Sequence, residues 1–97
     1  KCLAASYGSD WNIIIDDGSH FSKDIIITFE EMWPHVAAKG LYCIEDLGVS
    51  YGASSIFCSA GYPNHMAWVK SKLDDINLNG SVDAMYFSKE LAILRKP

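Results

Sequence analysis

The chain has 97 residues, of which 49% are hydrophobic and 21% are charged, and its formal net charge is -4. This composition is typical of a globular domain and excludes a disordered chain. The acidic balance argues against nucleic acid as a partner, because phosphate binding needs a basic surface. Three cysteines without Cys-x-x-Cys spacing indicate reduced thiols rather than a disulfide framework or a zinc site. No apolar run reaches the ~20 residues of a membrane helix, so we predict a cytoplasmic protein with no membrane partner.

The first predicted elements form a strand, a helix and a second strand. Continuous isoleucine within residues 12–16 predicts a strand that is covered on both faces, as in a parallel sheet. Ser22 is expected to cap the following helix, Pro34 to end or kink it, and Gly40 to stop it. A second strand at 41–45 completes a βαβ unit, in which the two strands are parallel.

The second half of the sequence predicts a loop, a helix and a hairpin. Residues 47–63 are rich in glycine and serine and predict a long irregular segment, a kind of loop that is often functional. Asn64 is expected to cap the second helix, and residues 79–80 to end it. Residues 82–87 and 91–94 predict the two strands of an antiparallel hairpin. The apolar face of the second helix is predicted to be Met66, Val69, Leu73 and Ile76. The predicted fold class is therefore α/β, with a parallel βαβ unit, a helix and an antiparallel β-hairpin.

An acidic pair follows each of the two parallel strands: Asp16 with Asp17, and Glu45 with Asp46. The carboxyl ends of neighbouring parallel strands lie at one sheet edge, ~5 Å apart, which is where α/β proteins bind ligands. Crowded carboxylates repel one another unless a cation neutralises them, and oxygen ligands favour Mg²⁺ or Ca²⁺ over zinc. His20 follows the first pair and is suited to act as a general base. Each pair taken alone is also explained as a turn former or a helix cap; their matching positions predict a site.

Three stretches of the sequence carry a resemblance to a known family. The stretches "NIIIDDGSH", "FEEMWPHVAAKGLYCIEDL" and "MYFSKELAILRK" resemble the carboxyl half of class I S-adenosylmethionine-dependent methyltransferases. Within that class they are most similar to the metal-dependent sugar O-methyltransferases of macrolide and rhamnoside tailoring and to relatives named as cephalosporin hydroxylases. The resemblance implies a Rossmann-like fold, with S-adenosylmethionine and Mg²⁺ as cofactors.

The resemblance also implies a role for each residue that matches the family's motifs. Asp17, Glu45 and Asp46 match the acids that hold Mg²⁺, and His20 matches the general base. Asp16 would lie nearer the sulfonium of the cofactor. The implied reaction is methylation of a hydroxyl on a small-molecule acceptor, a sugar or another natural product.

The sequence departs from the family's pattern at two places. Tyr51 matches a loop that contacts the acceptor, but Gly52 replaces the aromatic residue that relatives often carry there. The glycine-rich turn that holds the cofactor has no counterpart, since no Gly-x-Gly occurs. With no methionine at its start, the chain is therefore predicted to be one partial domain, residues 1–97, the carboxyl half of a longer enzyme.

Three further questions stay open on the sequence alone. One alternative is a metal-dependent hydrolase or oxygenase, although an oxygenase would need a histidine-rich iron site. A second is a truncated or degenerate methyltransferase-like module with a binding or assembly role and no catalysis. A homo-oligomer is neither predicted nor excluded.

Overall fold

Four strands, two helices and a short 3-10 turn make up the described part of the chain. The computed structural model describes residues 10–18, 21–45, 47 and 64–97, with the backbone alone at His65. In chain order the elements are β1 (Trp11–Asp16), α1 (Ser22–Met32), the 3-10 turn (Trp33–His35), β2 (Val36–Glu45), α2 (His65–Leu78), β3 (Ala84–Ser88) and β4 (Leu91–Arg95).

The four strands form one sheet in the order β1-β2-β4-β3. Strands β1 and β2 are parallel, whereas β4 is antiparallel to both β2 and β3. The predicted parallel βαβ unit and the predicted hairpin are both confirmed. Because β1 and β2 are parallel neighbours, their carboxyl ends lie at the same edge of the sheet.

Helix α1 buries an apolar face against the sheet, but it begins one residue away from the expected cap. Ile25, Ile26 and Phe29 are buried at helical spacing. Phe21 occupies the N-cap position, and its carbonyl oxygen accepts a hydrogen bond from the Ile25 N–H at 3.1 Å. Ser22 lies inside the first turn because its side chain is packed into the protein, where it is fully buried.

Strand β2 begins earlier than predicted, and the helix stop expected at Gly40 is wrong. Pro34 ends α1 as predicted, because proline cannot donate the next helical hydrogen bond, and β2 follows from Val36. Lys39 takes a left-handed conformation inside the strand, at φ 66°. A β-carbon at Gly40 would lie 2.8 Å from the Ala37 carbonyl oxygen, so this close approach of the backbone requires glycine.

Helix α2 begins at its predicted cap. The Asn64 Oδ1 atom accepts hydrogen bonds from the Met66 N–H at 2.9 Å and the Ala67 N–H at 3.4 Å. These two amides have no acceptor within the helix, so the side chain of Asn64 stabilises the first turn.

The predicted apolar face of α2 is correct at Met66 and Val69, which are buried, and wrong at Leu73, which is exposed. Trp68 is buried instead, and its ring meets the Phe29 ring of α1 edge to face, with the centroids 5.0 Å apart. This aromatic contact favours the helix rotation that turns Leu73 toward solvent.

The hydrophobic core lies between one face of the sheet and the two helices. It consists of Ile25, Ile26, Phe29, Met32, Val36, Tyr42, Ile44, Leu47, Met66, Trp68, Val69, Val82, Ala92 and Leu94. On the opposite face Ile13 and Ile15 are exposed, so the prediction that β1 is covered on both faces is wrong for the described residues. Both described helices pack on the same face, so neither of them covers the other face. Neither helix has the length and hydrophobicity that crossing a membrane requires.

Candidate functional site

Two acidic residues, Asp17 and Glu45, lie at the carboxyl ends of the parallel strands β1 and β2. The parallel register pairs Asp16 of β1 with Ile44 of β2. The residues that follow them in the sequence are Asp17 and Glu45. Both side chains are exposed. Adjacent strands lie ~4.8 Å apart, so this register brings to one edge two acids that are far apart in the sequence.

The Asp16 carboxylate closes a turn around Asp17. Its Oδ1 atom accepts a hydrogen bond from the Gly18 N–H at 3.2 Å, while its Oδ2 atom is buried without a hydrogen-bond partner among the described residues. Burial raises the pKa of the Asp16 carboxyl, the bond from Gly18 opposes that rise, and the charges of Asp17 and Asp24 add to it. Asp16 is therefore a constrained, partly buried carboxylate, unlike its exposed neighbour.

A cleft of about 410 Å³ separates β1 from α1 and contains Asp16. Tyr42, Asp24 and Thr28 also line it, and the lining formed by the described residues contains no lysine, arginine or histidine. Burial, followed by the charge of Asp16, raises the pKa of the Tyr42 hydroxyl.

Asp24, Thr28 and Tyr42 were not predicted from the sequence as residues of a site. The spacing of four between Asp24 and Thr28 places both on one side of α1. Tyr42 alternates in phase with the buried Ile44 of β2. These two periodicities are the sequence features from which the three residues could have been predicted.

Glu45 lies beside the hairpin turn. The antiparallel register places it opposite Leu91, and it lines a second cleft, of about 310 Å³, together with Lys89, Glu90 and Leu91. The ion pairs found in the described part of the chain join Lys72 to Asp75 and Arg95 to Asp83. Asp17 and Glu45 belong to neither pair, so their carboxylates stay available to a cation.

The structure thus brings together part of the predicted site. Asp17 and Glu45 share a sheet edge with the half-buried Asp16 beside them, and His20, Asp46 and Tyr51 lie outside the described residues. Within the described ranges no three acidic, histidine or cysteine side chains form a group that could hold a metal. Two exposed carboxylates on one edge nevertheless fit Mg²⁺, which is commonly held by one or two carboxylates and several waters.

The curated proteins to which the chain is similar are O-methyltransferases. It is 49% identical to the demethylmacrocin O-methyltransferase of Streptomyces fradiae over 49 residues, which are 50% of this chain and 12% of the relative. It is 32% identical to the L-olivosyl-oleandolide 3-O-methyltransferase of Streptomyces antibioticus over 90 residues, which are 84% of this chain and 23% of the relative. The chain therefore spans less than a quarter of these relatives. No family model matches it.

Comparison with solved structures shows that the fold of the chain is also similar to part of a methyltransferase. The MycE methyltransferase from the mycinamycin biosynthetic pathway, in complex with Mg, SAH and mycinamycin VI, superposes with a TM-score of 0.80 and 26% identity. The superposition covers 97% of this chain and 27% of the MycE chain. In both sequence and fold, the chain is a partial match to the S-adenosylmethionine-dependent O-methyltransferases of macrolide sugars.

Proposed function

We propose that the chain is the metal-binding part of an S-adenosylmethionine- and Mg²⁺-dependent O-methyltransferase. The intact enzyme would methylate a hydroxyl of a sugar or another small natural product in the cytoplasm. Curated relatives are named as O-methyltransferases, and the superposed MycE structure contains Mg and SAH. The observation that carries the proposal is the parallel register of β1 and β2, whose last pair, Asp16 with Ile44, directly precedes Asp17 and Glu45 in the sequence.

Mg²⁺ is assigned to Asp17, Glu45 and Asp46. The two described members of this set offer only carboxylate oxygens, the ligands that this hard cation prefers. Both side chains are exposed at one sheet edge, and neither is neutralised by the ion pairs of the described residues. The third ligand, Asp46, follows Glu45 directly in the sequence.

The remaining residues are assigned to proton transfer and binding. His20 would take the proton that the acceptor hydroxyl loses when its oxygen accepts the methyl group, and histidine suits this role because it titrates near neutral pH. Bound Mg²⁺ would supply the positive charge that lowers the pKa of that hydroxyl. Asp16 is assigned to the cofactor side of the site, and Tyr51 to the acceptor.

Calorimetric titration of the chain with Mg²⁺ tests the proposal. We expect binding by the unmodified chain, and an affinity lower by about tenfold or more in Asp17→Asn and in Glu45→Gln, because each change removes one charged ligand. Asp74→Asn and Glu30→Gln are the matched controls, since both remove a carboxylate that is exposed on a helix. Equal affinities in the site variants and the controls would contradict the assignment.

A second titration, with S-adenosylmethionine, separates catalysis from the module alternative. The absence of a Gly-x-Gly turn from the 97 residues is the sequence feature that favours a non-catalytic module. Binding of Mg²⁺ without binding of S-adenosylmethionine would support a catalytic fragment that lacks the cofactor half. A chain that binds neither would support the module.

A further inference from the structure

Two residues that line the cleft between β1 and α1 each have a buried oxygen atom without a hydrogen-bond partner among the described residues. The two atoms are Asp16 Oδ2 and Tyr42 Oη. The Tyr42 side chain is 0% exposed, so water at the surface cannot reach its hydroxyl. A buried polar group without a hydrogen bond lowers the stability of a protein by about 1–3 kcal/mol. A hydrogen-bonded connection between two such groups would remove this cost for both.

The two groups lie on the same face of neighbouring strands. The register pairs Ile14 with Tyr42, and Asp16 is two residues beyond Ile14, so Asp16 and Tyr42 are diagonal neighbours. Both line the cleft together with Thr28.

The Tyr42 ring is held firmly in place. It meets the Phe29 ring edge to face at 5.0 Å and the Trp33 ring at 6.4 Å. Its hydroxyl is therefore a fixed point against which the Asp16 carboxylate can be oriented. Tyr42 also lies on the strand that ends at Glu45, whereas Asp16 lies on the strand that leads to Asp17.

Asp16 connects this pair to the proposed metal site. While Oδ2 is buried, Oδ1 accepts the hydrogen bond from the Gly18 N–H that spans Asp17. An orientation imposed on the Asp16 carboxylate therefore also sets the turn that carries Asp17. Groups that orient a metal ligand in this way affect metal affinity without touching the metal.

We propose that one water bridges Tyr42 Oη and Asp16 Oδ2, and that Tyr42 and Asp16 act as positioning residues for Asp17. The Tyr42 hydroxyl and the water would donate hydrogen bonds toward the carboxylate, and the Thr28 hydroxyl in the same cleft offers the water a further partner. The inference rests on the proposed function for its effect on metal binding. The effect on the turn stands without a metal. The role is additional to the cofactor contact assigned to Asp16.

The test compares Tyr42→Phe with Tyr86→Phe, which removes the same hydroxyl from an exposed ring. The first readout is the exchange rate of the Gly18 amide with water, measured by NMR without metal. We expect faster exchange in Tyr42→Phe, because the Asp16 carboxylate loses its second anchor, and no change in Tyr86→Phe. The second readout is the Mg²⁺ affinity, which we expect to fall about tenfold in Tyr42→Phe only.

The Asp16→Asn and Asp16→Ala variants separate positioning from folding. Asparagine keeps an acceptor for the Gly18 N–H and a polar group toward Tyr42, so we expect a Gly18 exchange rate close to that of the unmodified chain. Alanine loses both contacts, so we expect faster exchange. Unchanged Gly18 exchange in Tyr42→Phe overturns the inference, even if the Mg²⁺ affinity falls. A Gly18 response in a chain that does not bind Mg²⁺ supports the positioning and overturns the proposed function instead.

Discussion

The two faces of the sheet carry similar side chains and differ in what covers them. On one face, helices α1 and α2 leave Tyr42 and Ile44 only 0% and 1% exposed. On the other face, Ile13, Ile15 and Tyr86 are 56%, 59% and 61% exposed. Hydrophobicity alone therefore does not decide which face of a strand is buried.

The apolar character of the open face runs across the whole sheet. Ile15 is paired with Cys43, Cys43 with Ile93, and Ile93 with Tyr86, so one continuous row crosses all four strands. Parallel strands normally have both faces covered. What distinguishes the two faces is the position of the helices, since both described helices pack on the same side.

The largest contrast between the two faces is expected from one substitution made on each. Ile44→Ala should lower the free energy of unfolding by about 2–5 kcal/mol, because it opens a cavity in the core. Ile13→Ala should lower it by less than about 1 kcal/mol, because more than half of that side chain already contacts water. Denaturant unfolding of both variants, with a comparison of their slopes, measures the difference.

A large cost for Ile13→Ala would break the comparison, because it would mean that the open face is covered in solution. Repeating the unfolding at several protein concentrations would then show whether a second copy provides the cover, since association makes the apparent stability depend on concentration.

A smaller effect is expected at the start of α2, the helix that contributes Trp68 and Val69 to the covered face. Asn64→Ala should lower the free energy of unfolding by about 1 kcal/mol, because two amides of the first turn lose their acceptor. Asn77→Ala is the control, since Asn77 is exposed within the same helix and alanine favours helix formation. Equal stability of Asn64→Ala and the unmodified chain would show that the cap does not support the covered face.

The smallest effect is expected for the ion pair at the margin of the open face. The Arg95 Nε donates a hydrogen bond to Asp83 Oδ2 at 2.8 Å, and its Nη2 lies 2.7 Å from the same oxygen. Their side chains are 49% and 31% exposed, so the coupling energy should stay below about 1 kcal/mol. A double-mutant cycle with Arg95→Gln and Asp83→Asn at low and high salt measures it. A coupling that is larger, or insensitive to salt, would indicate that this margin is shielded from solvent.

Several elements could be predicted because their signals are local. The run of isoleucine predicted β1, Asn64 predicted the start of α2, and Pro34 predicted the end of α1. Gly40 was misread because a glycine after a helical stretch predicts a helix end, whereas here it relieves a close backbone contact inside β2. A β-carbon at Gly40 would also lie 2.9 Å from the Asn12 carbonyl oxygen of the neighbouring strand β1, and no local pattern reveals this second contact.

In the candidate site, too, some features could be predicted from local sequence signals and others depend on contacts between distant segments. The βαβ pattern predicted that β1 and β2 end at one sheet edge, and their parallel pairing confirms this part of the prediction. The place of Tyr42 in the cleft did not follow from this pattern, because its meaning depends on Asp16 of another strand and Thr28 of a helix.

The sequence by itself determined the strand and helix order, the parallel pairing of β1 with β2 and the acids at their ends, because periodicity, proline and capping residues act over a few positions. The tertiary structure alone decided which face the helices cover, how α2 is rotated, and that Asp16 and Tyr42 share a cleft. These features depend on side chains that come into contact only after distant segments pack together. The energies of such contacts therefore cannot be inferred from any single segment of the sequence.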